Sequence, residues 1–218
     1  MTESVWLREG RRSRREGPPL SRERIVAEAV ALLDEEGAAR LTMRRLAERL
    51  DTGSTTLYWH VKTKDDVLEL ALDSIFGDVA LPHGDRDWRA AVVALMSGWR
   101  RAMLDHPWSA AVLGGRPLLG SNVLARTDFL YATLATTGLT GARLATAAYA
   151  VANYVIGSAL MEVGAHGSAP DAAEHLARSR DLYPALAEHG HLDDGDWDAA
   201  FVQGLDYLLD GIGGVTSR

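Results

Sequence analysis

Apolar residues recur at intervals of three and four along almost the whole chain, which is the spacing that places them on one face of a helix. In the first such segment the apolar positions are Ile25, Val26, Ala29, Leu32 and Leu33. Ser21 precedes them as a helix N-cap, and Gly37 follows them as a helix stop. The sequence lacks the alternation of apolar and polar residues that a half-buried strand requires. The pattern therefore predicts an all-α fold.

Three shorter helices are predicted to follow. The second opens at Thr42, and its apolar side carries Met43, Leu46, Ala47 and Leu50. The turn-rich run Asp51-Thr52-Gly53-Ser54 separates it from a third helix that reaches His60. A fourth helix starts near Thr63 or Lys64 and runs toward Gly77. Two short helices across a Gly-containing turn, after a longer amphipathic helix, are the outline of a helix-turn-helix.

A connection over residues 77–87, which contains Pro82 and Gly84, leads to a second group of helical patterns. These patterns cover residues 87–106, 121–137, 140–165, 170–188 and 196–212. Loops are predicted at Gly114-Gly115-Arg116-Pro117 and over residues 164–170. The chain thus divides into a basic flexible arm at 1–19, a helix-turn-helix domain at 20–66 and a larger helical domain at 67–218.

The net charge changes sign near the same boundary. Residues up to Lys64 carry 13 Lys and Arg against 10 Asp and Glu, whereas the remainder carries 10 against 20, which gives −7 overall. Five arginines fall within eight positions ahead of the first helix, namely Arg8, Arg11, Arg12, Arg14 and Arg15. Such a cluster favours phosphate contact by counterion release. The other interpretation is a disordered, solubilising tail.

Composition excludes several classes of protein. The chain has no Cys, so it has neither a disulfide framework nor a thiolate metal site. The basic N-terminus leads into Pro18-Pro19 instead of the apolar core of a signal peptide. The most apolar region, residues 144–163, contains Asn153 and several small polar residues, so we expect it to fall short of a membrane span. We therefore expect a cytoplasmic protein with no membrane partner.

An enzymatic role is the alternative to a DNA-binding one. The histidines at 189 and 191 lie in a Gly- and Asp-rich stretch without the i, i+4 spacing of a helical zinc motif. The sequence shows neither a phosphate-cradling glycine motif nor a nucleophile elbow. We expect no metal, no cofactor and no catalytic residue. A helical small-molecule-binding protein or enzyme, with DNA binding as a secondary role, remains the alternative.

The third predicted helix carries the most specific residues. Leu57 and Val61 share an edge that can pack inward. The rest of its surface, with the residues that follow, carries Ser54, Thr55, Thr56, Tyr58, Trp59, His60, Lys62 and Lys64. A major groove suits this set, because hydroxyls bond base edges or phosphates, aromatic edges touch thymine methyls and lysines neutralise phosphates. The alternative is that Tyr58 and Trp59 are core aromatics with polar handles.

Three runs together resemble the DNA-binding domain of the TetR family, and especially its tetracycline-repressor branch. They are Leu20-Ser21-Arg22-Glu23-Arg24-Ile25-Val26, Leu41-Thr42-Met43-Arg44-Arg45-Leu46-Ala47 and Leu57-Tyr58-Trp59-His60-Val61-Lys62-Thr63-Lys64. The resemblance implies a linking helix after the helix-turn-helix, a homodimer, a palindromic double-stranded operator and a small-molecule inducer. It places Arg44, Ser54, Thr55, Tyr58, Trp59 and His60 on DNA and Lys64 on phosphate. The turn departs from the family, because Asp51 and Thr52 stand where Gly and an aliphatic residue are usual.

The weaker resemblance of residues 67–218 implies a helical bundle that binds the inducer and pairs with its symmetry mate. Carried across position by position, the drug-and-magnesium site of the family falls on Gly77, Leu95, Trp99, Val112, Gly115, Asp128 and Met161. This set has mostly lost the oxygen and imidazole ligands that a hard cation needs. We therefore predict a flatter or more hydrophobic ligand, bound without an obligatory metal by Leu95, Trp99, Met103, Val112, Arg116, Asp128, Tyr131 and Met161. The alternative for Trp99, Met103, Tyr131 and Met161 is an ordinary place in the core.

Overall fold

A computed structural model describes residues 20–84, 87–113, 119–165, 174–175, 178–189 and 196–216. Its helices are α1 (Arg22–Glu36), α2 (Met43–Arg49), α3 (Ser54–Tyr58), α4 (Lys64–Gly77), α5 (Trp88–Asp105), α6 (Trp108–Leu113), α7 (Ser121–Ala135), α8 (Gly141–Ala165), α9 (Pro184–His189) and α10 (Trp197–Thr216). The described residues contain no strand, so the all-α prediction is confirmed. The predicted arm at 1–19 lies outside the described residues.

The structure differs from the predicted helices in three places. Helix α3 ends at Tyr58 instead of reaching His60, and Trp59 and His60 lie in the turn that follows it. Helix α6 is a separate element of six residues, which is too short for a periodic pattern to reveal it. The predicted helix over 170–188 is not continuous, because residues 179–182 form a turn and α9 begins only at Pro184. Proline disfavours the helical region for the residue before it, here Tyr183, and is itself favoured in the first turn of a helix.

Helices α1, α2 and α3 form the head, a small bundle with its own apolar centre. Ser21 and Thr42 accept backbone N–H bonds at the starts of α1 and α2, as the N-cap positions require. Leu46 and Leu57 are fully buried between the helices. Each such leucine stabilises the fold by about 1.5–3 kcal/mol, and together they fix α3 against α2.

The turn between α2 and α3 accommodates the unusual residue Asp51. Thr52 donates its N–H to the Ala47 carbonyl at 3.0 Å, and Asp51 donates its N–H to the Glu48 carbonyl at 3.1 Å. This pair of bonds defines a Schellman motif, which puts the residue after the helix cap in the left-handed region. Asp51 indeed has φ 49°, where glycine is the unstrained residue.

Helices α5 to α10 form the body. Helix α5 packs against α7 and α8, and α10 packs along α8 and α5. Helix α4 packs on α1 at one end and on α7 at the other. The buried apolar residues of head, α4 and body form one continuous cluster, so α4 is a structural part of both units.

Helix α8 is long and strongly apolar. By length and composition alone it could cross a membrane. The expectation that the composition of residues 144–163 falls short of that of a membrane span was therefore wrong. Core helices of soluble proteins meet the same criterion. In the fold, Ala148, Val151 and Val155 are buried in the core, whereas Tyr149 and Met161 are exposed. One face of α8 is thus used inside the chain and the other is left at the surface.

We predict that Asp51→Gly raises the free energy of unfolding by about 0.5–1 kcal/mol. Relief of roughly 1–2 kcal/mol of left-handed strain outweighs the roughly 0.5–1 kcal/mol of extra chain entropy that glycine brings. Chemical denaturation of the two proteins measures the difference.

Gly37→Ala is the matched control and should change stability in the opposite direction. Gly37 has φ 77° and ψ 168°, a combination that is essentially restricted to glycine and costs other residues about 1–3 kcal/mol. A Cβ atom there would meet nothing within 4 Å, so the loss is backbone strain alone. A drop in stability for Asp51→Gly would show that the Asp51 side chain itself holds the turn.

Candidate DNA-reading surface and ligand cavity

Helix α3 presents an exposed aromatic surface at the end of the head. Trp59 is 85% exposed and Tyr58 is 48% exposed, and His60 beside them is also exposed. Leu57 and Val61 are buried and attach this segment to the core, as the pattern predicted. The alternative that Tyr58 and Trp59 are core aromatics is therefore wrong. Ser54 and Thr55 lie exposed on the same short helix, and Thr56 is half-buried.

The three arginines of α2 have different neighbours. Arg45 bonds Glu36, and Arg49 bonds both Glu28 and Glu35, so these two side chains tie α2 to α1. Arg44 pairs only within α2, with Glu48 one turn away at 2.8 Å, and its side chain is 85% exposed. An exposed pair of this kind contributes little to stability. Of the three, Arg44 has the most exposed side chain.

The two predicted phosphate-binding lysines have different environments. Lys62 is exposed. Lys64 is half-buried, and its Nζ donates to the Ala38 carbonyl at 2.8 Å, which joins the start of α4 to the turn after α1. Lys64 therefore also supports the head.

Asp66, which sequence reasoning missed, shapes the corner between α3 and α4. Its carboxylate accepts the backbone N–H of Lys62 at 2.8 Å and the N–H and hydroxyl of Thr63. Thr63 in turn accepts the Asp66 N–H, which completes a capping box. These bonds, the Thr63 hydroxyl first, lower the pKa of Asp66. The spacing Thr-x-x-Asp before an apolar run was the available sequence signal.

An apolar cavity of about 150 Å³ lies in the body between α5, α7 and α8. Its walls are Met96 and Trp99 from α5, Thr127, Leu130 and Tyr131 from α7, and Ala148, Tyr149, Ala152, Val155 and Ile156 from α8. A more open and more polar groove of about 410 Å³ lies between head and body, beside His60, Asp66 and Asp73. Small-molecule sites are mostly apolar and aromatic with a few polar groups, so the cavity is the better candidate.

The predicted ligand residues do not all meet at this cavity. Trp99 and Tyr131 line it. Leu95 and Met103 are fully buried elsewhere in the core, Val112 is half-buried on α6, and Asp128 and Met161 are exposed. Arg116 lies outside the described residues. Two of the predicted ligand residues thus line the cavity, and the ligand-binding role of the set stays a prediction.

Trp99 connects the cavity to the linking helix. Its ring lies 4.7 Å from the ring of Phe76 in the last turn of α4, measured between centroids. The Trp99 Nε1 is buried and has no hydrogen-bond partner among the described residues. An unpaired buried donor costs about 1–3 kcal/mol. The ring at the join between cavity and α4 is therefore held by packing, without a hydrogen bond from its indole nitrogen.

Polar bonds join the head and α4 to the body in two further places. Asp34 on α1 accepts from the Trp108 indole at 2.7 Å and lies 2.8 Å from the His106 Nδ1. In the second place, Asp73 on α4 accepts the backbone N–H of Asn122 on α7, and Arg126 on α7 donates to the Val79 carbonyl just after α4. Sequence reasoning missed these residues, because their partners lie more than 40 positions away along the chain and no local pattern marks such pairs.

An ion network around the buried Arg100 holds the last helix on the body. Arg100 is 4% exposed, pairs with Glu162 and Asp198, and lies under the Phe201 ring at 4.9 Å. The Arg100 guanidinium lowers the pKa of Asp198. The network joins α5, α8 and α10. Among the described residues no group of three or more His, Asp or Glu is arranged to hold a metal ion.

Comparison with known proteins identifies relatives along the whole length. Residues 25–71 match the family model for bacterial regulatory proteins of the tetR family, and residues 81–215 match that for the tetracyclin repressor-like C-terminal domain. An HTH-type transcriptional regulator of Saccharopolyspora erythraea is 48% identical over 215 residues, which cover 96% of this chain and 91% of the relative. The class C tetracycline repressor protein of Escherichia coli is 30% identical over 200 residues, 88% of this chain and 90% of that protein. The Streptomyces coelicolor TetR family protein ActR, solved in complex with actinorhodin, has a TM-score of 0.82 at 28% identity and covers 92% of this chain and 100% of its own.

We predict that the capping box at Thr63 stabilises the corner between α3 and α4 in a pH-dependent way. Thr63→Ala should lower the free energy of unfolding by about 0.5–2 kcal/mol. The contribution of Asp66 requires its charge, and its pKa is lowered on folding. That contribution is therefore present above about pH 4 and is lost as pH falls further. Urea denaturation of wild type and Asp66→Asn between pH 7 and pH 3 measures it.

Glu69→Gln is the control, because it removes an exposed charge from the next turn of α4 and leaves the capping box intact. Its stability difference from wild type should be smaller than that of Asp66→Asn at neutral pH. If the difference between wild type and Asp66→Asn stayed the same down to pH 3, the charge of Asp66 would play no part in the cap.

Proposed function

Because the chain belongs to the TetR family of bacterial regulators, we propose that it is a dimeric, ligand-responsive transcriptional repressor. In this proposal α3 binds an operator, and a small molecule in the body cavity releases it. The observation that carries the proposal is the exposure of Tyr58, the last residue of α3, and of Trp59, its C-cap, next to the buried anchors Leu57 and Val61. Two large aromatic rings held in solvent at one end of a rigid head need a partner.

DNA supplies that partner. The surface combines the aromatic rings of α3 with the hydroxyls of Ser54 and Thr55, and Arg44 of the neighbouring helix faces solvent as well. Hydroxyl and guanidinium groups bond base edges and phosphates, and an aromatic edge packs on a thymine methyl. Lys62 follows α3 and is exposed for phosphate contact. We assign DNA contact to these residues together with Thr56, His60 and Lys64.

The outer faces of α8 and α10 support a homodimer. Both helices pack into the body on one side and expose large apolar residues on the other, namely Tyr149, Leu160, Val202 and Tyr207. Pairing these faces with a second copy would bury them in a four-helix interface. A two-fold dimer then presents two copies of α3 to successive major grooves about 34–36 Å apart, on a palindromic operator.

The cavity determines the class of inducer. Its walls are apolar and aromatic, with polar atoms from Thr127, Tyr131 and Tyr149. A flat, largely aromatic molecule with a few hydroxyl or carbonyl groups matches these walls. The structure of ActR contains actinorhodin, and the name of the class C relative gives tetracycline. We propose a ligand of this general shape for the present chain, bound without a metal ion.

An enzyme that binds the same ligand is the second candidate, because family membership does not exclude turnover. A thermal-shift screen separates the two functions. Ligands that raise the melting temperature and weaken operator binding support a regulator, whereas conversion of such a ligand into product would support an enzyme.

We predict that Tyr58→Ala weakens specific operator binding by about 1–3 kcal/mol and leaves the fold intact, because the side chain is half exposed. Lys62→Ala should weaken binding to all DNA sequences and reduce the salt dependence by about one phosphate contact. The operator is first selected from a random DNA pool. Binding to it and to unrelated DNA is then measured by fluorescence anisotropy at several salt concentrations.

Lys64→Ala is the comparison variant for the lysines. It should weaken binding as Lys62→Ala does, but it should also lower the melting temperature, because it breaks the bond to the Ala38 carbonyl. If Tyr58→Ala unfolded the protein while leaving its specificity unchanged, Tyr58 would be a structural residue and the proposed reading surface would be wrong.

We predict that Trp99→Ala blunts induction and leaves operator affinity nearly unchanged, since Trp99 lines the cavity and lies away from α3. The loss of this ring also costs about 3–5 kcal/mol of stability, so Tyr131→Ala, at a half-exposed position of the same wall, is the second variant. A ligand is chosen by thermal shift from a panel of flat aromatic compounds that includes actinorhodin and tetracycline. Calorimetry with and without operator then measures its affinity, which operator should reduce by about 5–150-fold.

Met161→Ala tests the location of the site. Met161 is 70% exposed and is absent from the cavity wall, although the family resemblance places it at the ligand. Its ligand affinity should equal that of wild type. Equal losses in Met161→Ala and Tyr131→Ala would favour the site carried over from the family. Ligand affinity that does not change with operator would show that cavity and head are uncoupled.

A further inference from the structure

Helix α7 has two different surfaces. One surface lines the ligand cavity through Thr127, Leu130 and Tyr131. The other meets the last two turns of α4, the helix that also packs on the head. No intermediate element separates the cavity wall from the linking helix along this route, because Arg126 and Thr127 are consecutive residues.

Asp73 of α4 caps the start of α7. Its Oδ1 accepts the backbone N–H groups of Asn122 and Val123, each at 3.0 Å, and its Oδ2 accepts the Asn122 side-chain amide at 3.2 Å. The residue at the N-cap position of α7 is Gly120, which has no side chain to do this itself. A Cβ on Gly120 would lie 2.1 Å from the Asp73 Oδ1, so the carboxylate occupies the place of the cap.

Arg126 of α7 caps the end of α4. Its Nε donates to the Val79 carbonyl at 2.9 Å, and its Nη2 donates to the carbonyls of Gly77 and Val79 at 2.5 and 2.6 Å. Gly77 is the last residue of α4. The Arg126 side chain is buried, at 8% exposure, and its Nη1 also donates to the Asn122 carbonyl within α7.

The two contacts are reciprocal. A carboxylate of α4 satisfies the free N–H groups at the start of α7, and a guanidinium of α7 satisfies the free carbonyls at the end of α4. Each charge lies at the helix terminus of opposite polarity, where the helix dipole favours it. We name this set, Asp73 and Arg126 with their backbone partners, the reciprocal cap.

We propose that Asp73 and Arg126 are the positioning residues of the switch, and that the reciprocal cap forces the end of α4 to follow the first turn of α7. The proposal rests on the proposed function, because it assigns the route by which the cavity acts on the head. Charge-assisted bonds of this kind are short and directional. The Arg126 guanidinium is buried, so a partner that moved away would leave a buried charge unpaired. A shift of α7 of about 1–2 Å, as helices commonly make in switches, is therefore passed on to α4 instead of being absorbed between the two helices.

The test measures the separation of the two heads in the dimer without any ligand. The chain has no Cys, so a single Ala39→Cys, at an exposed position in the turn after α1, carries a nitroxide label at one site per subunit. Pulsed electron spin resonance gives the distribution of distances between the labels. The cavity is perturbed by Ala152→Phe, which places a ring among the residues of its wall.

We expect Ala152→Phe to shift the mean distance in the otherwise native protein. Arg126→Lys keeps the charge but cannot reach the carbonyls of both Gly77 and Val79 in the same geometry. In that background the distribution should broaden, and the shift caused by Ala152→Phe should be lost. Asp73→Asn, which keeps an acceptor and loses the charge, should reduce the shift by a smaller fraction. It also keeps the test valid if Arg126→Lys fails to fold.

Arg100→Lys is the control, because Arg100 is also a buried arginine that joins helices, here by pairing with Glu162 and Asp198 across α5, α8 and α10 instead of α4 and α7. In that background the shift should persist. If the shift survives in Arg126→Lys and Asp73→Asn, the reciprocal cap does not transmit the movement. The same conclusion follows if the shift is lost equally in Arg100→Lys. Either result would overturn this proposal and leave the proposed function standing. Absence of a shift even in the native background would overturn both, because the cavity would then have no effect on the heads.

Discussion

The structure depends on one constraint, which is that a single helix must pack on the head and on the body at the same time. Helix α4 buries Val67, Leu68 and Ala71 near the head and Ile75 and Phe76 near the body. The two units therefore share one core instead of meeting at a hydrated joint. Any change in the angle between α4 and the body must move the head as a rigid piece, because packed cores respond by discrete shifts and not by continuous deformation.

The head is built to keep its shape during such a movement. Arg45 and Arg49 tie α2 to α1, and Asp66 fixes the corner between α3 and α4. The turn before α3 holds Asp51 in a left-handed conformation, which is tolerated only where the surrounding bonds determine the backbone. The aromatic rings of α3 are thus presented in one fixed orientation, and a rotation of α4 changes where the whole surface points.

The sequence determined the parts of this arrangement that are local. The period of the apolar residues predicted the first four helices and the inward edge of α3 at Leu57 and Val61, and the turn chemistry predicted the break around Asp51. The exposure of Trp59 could not be predicted from residue spacing, because the spacing allowed either a buried or an exposed ring. The packing of α3 against its neighbours decides between the two. The sequence could not show which apolar residues line the cavity. Met161 and Tyr131 have similar apolar character, and only the packing of α8 against α5 and α7 exposes one and places the other in the wall. The bonds of Asp73 and Arg126 join distant segments, which a local pattern does not reveal.

The size of the cavity connects ligand binding to movement. Sites for drug-sized molecules measure about 300–1,000 Å³, whereas this cavity measures about 150 Å³. A flat aromatic molecule of that class can enter only if the walls move apart. Two of the three helices that form the walls are attached to α4. Helix α5 contacts it through the Trp99 ring on Phe76, and α7 is joined to it by the bonds of Asp73 and Arg126. A ligand that parts these walls therefore acts on helices that are attached to α4. A difference in its binding free energy between two positions of α4 is the condition for it to shift a conformational equilibrium.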